Sequence, residues 1–79
     1  MTQVKILQHH IDLGERGNAF HCPIALALKE QFGFAEVSVG MHIYADHEKL
    51  CDTTLGALYF IQCFDRRGAV TPTVFDFPF

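Results

Sequence analysis

The chain has 79 residues, 49% of them hydrophobic and eight of them Phe, with six Lys and Arg against nine Asp and Glu for a formal net charge of −3. That length suits one domain near the lower end of what folds alone, and so apolar a composition excludes intrinsic disorder. The acid excess argues against direct nucleic-acid binding, which needs a basic face, and three cysteines without a Cys-x-x-Cys pair argue against a disulfide framework or a zinc ribbon.

The longest apolar run, Pro23 to Leu28, is far too short to span a bilayer. The start, Met-Thr-Gln-Val-Lys, has no signal-peptide pattern. Residues 1–79 are therefore expected to form a single cytoplasmic domain away from membranes.

In chain order, Gln3 to Gln8 reads as a first strand, with Val4 and Ile6 alternating with Lys5 and Leu7, a period of two made imperfect by the apolar Leu7. His9 to Leu13 then leads into Gly14-Glu15-Arg16-Gly17-Asn18, which reads as an irregular loop. The first helix is expected from Pro23 to about Phe32. Pro23 suits the first helical position, Cys22 becomes the N-cap, and Gly33 can take the left-handed conformation that ends helices. Ile24, Leu28 and Phe32 share one face, while Leu26 points roughly the other way.

Ala35 to Val39 is the cleanest strand, with Val37 and Val39 inward. Met41 to Ala45 continues the alternation with Ile43 inward. Asp46-His47-Glu48 reads as a polar turn and Lys49-Leu50-Cys51 as a short returning strand. Asp52 or Thr53 can cap a second helix over about Thr54 to Asp65, whose face is Ala57, Phe60, Ile61 and Phe64. Its first turn contains Gly56, and Asp65-Arg66-Arg67-Gly68 ends it. A last strand lies within Thr71 to Phe79, with Phe75 and Phe77 on one face and Pro72 and Pro78 bracketing its pairing region. The order βαββαβ, with one extra short strand, predicts an α+β fold in which two helices pack on one face of a small, mostly antiparallel, ferredoxin-like sheet.

Several residues invite a chemical reading. Cys22 places a thiol at a helix N-terminus, where its pKa can fall, with His21 adjacent and His9 or His10 as candidate bases. No protease or oxidoreductase signature surrounds it, and a buried cap accounts for it as well. His47-x-x-x-Cys51 has ligand-like spacing, but His9, His10, His21 and His42 do not repeat it, so no metal and no cofactor are expected. Gly14-x-x-Gly17 lacks the Gly-Lys-Ser or Gly-Lys-Thr of a phosphate loop. Arg66 and Arg67 fit a complement to the helix dipole. The acidic residues Asp12, Glu15, Glu36, Asp46, Glu48 and Asp52 fall in loops and on an outward strand face, where they are the candidate binding residues.

The segments His10-Ile11-Asp12-x-Gly14, Cys22-Pro23-Ile24-Ala25-Leu26-Ala27-Leu28, Val37-x-Val39 and Phe64-Asp65, with a late Pro72 and a Phe-rich end, resemble a family of very small phage and mobile-element proteins. Compact acidic phage proteins of this length are similar to anti-CRISPR inhibitors. What the resemblance implies is a non-enzymatic inhibitor, monomeric or homodimeric, that occupies a surface of a host bacterial complex such as a CRISPR effector. It carries over no functional residues. The alternatives are a small Cys/His enzyme or metal-binding sensor built on Cys22, and a homodimeric module pairing through Leu26 or Phe79.

Overall fold

A computed structural model of the chain describes residues 2–79. It is an α+β fold in the order β1 (Thr2–Ile6), α1 (Gln8–Leu13), α2 (Pro23–Phe32), β2 (Val37–Val39), β3 (His42–Ala45), β4 (Glu48–Asp52), α3 (Leu55–Asp65) and β5 (Thr73–Phe77). No described helix is long and apolar enough to cross a membrane.

The expected class holds, while the strands divide into two antiparallel sheets rather than one. β1 pairs with β5, and β2, β3 and β4 form a meander. The reason is local. Gly40-Met41 and Asp46-His47 turn the chain back so tightly that β2, β3 and β4 satisfy one another, leaving β1 to pair with the far end of the chain. Helix α2 joins the halves by packing on both β1 and β2. Its Ile24, Ala25, Ala27 and Leu28 are buried with Val4, Ile6, Val37, Val39, Ile43, Ala57, Phe60 and Phe77 in one core.

The ends of α2 follow from its sequence. Cys22 Sγ accepts the Ala25 N–H at 3.4 Å, Pro23 opens the helix, and Gly33, at φ 73°, donates its N–H to the Lys29 carbonyl at 2.9 Å. Phe32 does not enter the core as its spacing suggests. It is 39% exposed and packs at the rim, its ring 6.1 Å from that of Phe79. Leu26 and Phe79 are each half-buried. For α3 the cap is Thr54, one residue beyond Thr53 and two beyond Asp52, the two expected candidates; its Oγ1 accepts the Ala57 N–H at 3.3 Å.

Helix α1 covers His9 to Leu13, the stretch expected only to lead into the loop, and takes Gln8 from the end of the expected first strand, while Gly14 to Asn18 is non-helical as expected. The N-terminal N–H groups of α1 have no Ser, Thr, Asp or Asn to cap them; instead His10 reaches back so that Nδ1 accepts the Leu7 N–H at 2.9 Å. His10 is itself buried. Gly14 ends α1 against α2 so closely that a Cβ there would lie 2.9 Å from Pro23 Cδ and 3.0 Å from the His10 carbonyl oxygen.

Candidate functional site

The hairpin between β3 and β4 turns on two residues, Asp46 at φ 50° and His47 at φ 72°. Two consecutive positive φ values are the mark of the type I′ turn, which matches strand twist and favours Asn-Gly or Asp-Gly. Asp46 fits, because an aspartate tolerates the left-handed region. Its Oδ1 also accepts the Ala35 N–H at 3.0 Å and the Glu36 N–H at 2.9 Å, while its own N–H donates to the Glu36 carbonyl at 2.9 Å. The carboxylate therefore ties the turn to the chain entering β2, which is why β2 begins at Val37 and not at Ala35. His47 holds the left-handed position without glycine's freedom, its Nε2 3.5 Å from Glu36 Oε2.

This clamp forms one wall of an open cleft of about 320 Å³ lined by Phe20, Glu36, Val37, Ser38, Tyr44, Asp46 and His47. Phe20 is 53% exposed and Tyr44 42%, so two aromatic rings stand beside two carboxylates. Glu36 and Asp46, both singled out in the sequence, line the cleft, and Glu48 follows the same turn as the partner of Ala45. The other three candidates lie elsewhere, each in its own polar contact. Asp12 accepts from Gln8 at 2.9 Å, Glu15 lies 3.5 Å from His21, and Asp52 contacts Lys49 at 2.8 Å and His42 at 2.7 Å. Lys49, and then His42, hold the Asp52 carboxyl below the usual aspartate range.

A second polar cluster joins α1 to α2. His9 Nε2, His10 Nε2 and Glu30 Oε2 all lie within 4.8 Å of one another, an arrangement of metal-ligand type. The chemistry of His10 is against a metal there. Its Nδ1 accepts a backbone N–H, so the ring proton of the neutral imidazole sits on Nε2, and that atom offers no lone pair to a cation. The group is instead a carboxylate between two imidazole N–H groups. His9 meets Glu30 at 2.8 Å; His10 Nε2, 3.2 Å from the same oxygen but poorly aligned, is a buried side-chain atom without a well-formed hydrogen bond. His9, then His10, lower the Glu30 pKa.

Cys22 is buried, and burial pushes its thiol up, the opposite of what a reactive thiolate needs. Burial does the same to Cys51. The His47-x-x-x-Cys51 pair does not converge with a third ligand among the described residues, since Cys51 faces the core and His47 the cleft.

Sequence reasoning missed Phe20 and Tyr44. Both carried a signal: Phe20 is an aromatic in a polar loop, and Tyr44 sits at an outward position beside inward Ile43. Nothing in spacing announced Glu30 as the partner of His9 and His10. Compared with protein-family models, curated proteins and solved structures, the chain finds no match.

Proposed function

We propose that this protein is a non-enzymatic binding module whose Phe20–Tyr44 cleft receives a cationic side chain from a basic protein surface. The observation that carries the reading is the cleft itself, where the exposed rings of Phe20 and Tyr44 stand beside the carboxylates of Glu36 and Asp46. An arginine entering the cleft meets the rings of Phe20 and Tyr44 and the carboxylates of Glu36 and Asp46, a combination that suits a guanidinium better than any neutral group. The net charge of −3 favours encounter with such a surface.

In the phage setting that the sequence resemblance implies, the partner is the basic, nucleic-acid-binding face of a host defence complex, most concretely a CRISPR effector, and the protein inhibits by covering it. The test is binding to purified effector complexes, comparing Glu36→Gln and Tyr44→Ala with the control Asp12→Asn. Loss at the first two, by about 1–3 kcal/mol each, with little change for the control is expected. Equal loss in Glu36→Gln and Asp12→Asn with none in Tyr44→Ala would leave only general acidity, and no binding to any effector would remove the anti-defence reading.

A further inference from the structure

The two sheets have four outer strand edges, and three are closed by identifiable groups. On β1 the Gln31 side-chain amide stands in for a neighbouring strand, with Oε1 accepting the Lys5 N–H at 3.1 Å and Nε2 donating to the Lys5 carbonyl at 2.5 Å. On β2 the Val39 N–H donates to the Ala19 carbonyl at 3.0 Å. On β4 the pairing jumps from Ile43–Cys51 to Tyr44–Lys49, so Leu50 is the extra residue of a bulge, and the edge carries the Lys49–Asp52 ion pair. The outer edge of β5 has no such cover among the described residues.

The β1–β5 register fixes which groups that edge presents. Lys5 pairs with Val74 and spends both its backbone groups on Gln31, outside the ladder. Lys5–Val74 is therefore a pair whose N–H and C=O groups point away from the partner strand, and by alternation so is Gln3–Asp76. Val74 and Asp76 thus turn two N–H and two C=O groups to the open edge.

We propose that this edge pairs antiparallel with the β5 edge of a second copy of the chain about a two-fold axis at Phe75, giving one four-stranded sheet in the order β1–β5–β5–β1. The choice of axis follows from the residues. Centred on Phe75, Val74 of each copy faces Asp76 of the other and both pairs exchange two hydrogen bonds. Centred on Val74, Asp76 would face Pro72, which has no N–H to give. Centred on Asp76, two carboxylates would oppose each other and Val74 would face Pro78. The strand is complementary to itself in one register, as an isologous interface requires. Phe75, half-buried and edge-on to Phe60 with ring centroids 5.6 Å apart, comes beside its symmetry mate on the face that carries the apolar cleft of Tyr59, Phe60 and Val70.

The experiment is sedimentation equilibrium of the full chain up to about 1 mM, together with amide hydrogen exchange at the two ends of the concentration range. The expected mass rises from 8.9 kDa toward twice that value, and the Val74 and Asp76 amides slow by at least ~10-fold as it does, while Thr73 and Phe75, which point to β1, stay protected throughout. Val74→Pro removes one edge-facing N–H without touching the β1 ladder and is expected to keep the fold and abolish the dimer. If that variant does not fold, the exchange of the wild-type Val74 and Asp76 amides decides alone. A monomer at every concentration, or a dimer in which those two amides exchange as fast as in the monomer, overturns the proposal.

Discussion

Replacing His47 by glycine separates strain from function at the cleft. The left-handed conformation at φ 72° costs a residue with a Cβ about 1–2 kcal/mol. Glycine relieves that cost but loosens the unfolded chain, which returns about 0.4–1 kcal/mol. The substitution also removes the approach of His47 Nε2 to Glu36 Oε2 at 3.5 Å, which between exposed side chains is worth only about 0.2–0.5 kcal/mol. The balance is a net stabilisation of about 0.5 kcal/mol, which in a domain of this size raises the midpoint by about 2–4 °C. Thermal and urea unfolding of His47→Gly beside the wild type measure it. The same variant should bind a basic partner more weakly, because the cleft loses part of its wall. A variant destabilised by more than about 0.5 kcal/mol would show that His47 is not strained. A stabilised variant with unchanged affinity would show that the strain has nothing to do with binding.

Other consequences concern the frame behind the cleft. His10→Leu keeps a buried apolar side chain but strips the acceptor from the Leu7 N–H, and should cost about 1–3 kcal/mol in urea unfolding; no loss would mean that the N–H finds water instead. Gly14→Ala drives a methyl to 2.9 Å from Pro23 Cδ and should cost about 1–3 kcal/mol, read as a lowered midpoint. Because the Glu30 pKa is lowered in the fold, the stability it contributes is complete above its ordinary value of 4.5 and is lost as pH falls through the lower folded value. Glu30→Gln should therefore flatten the acid limb of stability against pH, and an unchanged limb would show that the contact with His9 and His10 adds nothing. In native protein, Cys22 should resist a thiol reagent that modifies half-buried Cys63 readily; equal rates would contradict a buried, raised-pKa thiol.

What the residues disclosed and what they hid divide along the range of the interactions. Pro23, Cys22 and Gly33 bound α2 to the residue because each acts within one turn. Val37, Val39 and Ile43 declared their inward faces by alternation. Val4 and Ile6 declared a face too, but not a partner; that β1 pairs with β5 at the other end of the chain, apart from the meander, depends on contacts that no local pattern records. Helix α1 was hidden because its cap is a histidine reaching backward rather than a Ser or Asp placed before the first turn. At the cleft the carboxylates Glu36 and Asp46 were legible as exposed acid. Their convergence with Phe20 was not, since it depends on how the loop before α2 lies against the β2–β3 hairpin.

The central claim is that binding is concentrated at the Phe20–Tyr44 cleft rather than spread over an acidic exterior. Titrating the isotope-labelled protein with a short arginine-containing peptide and following its backbone amide shifts tests this directly. The account predicts shifts confined to Phe20, residues 36–38, Tyr44, Asp46 and His47. Comparable shifts around Asp12, Glu15 and Asp52 would contradict it.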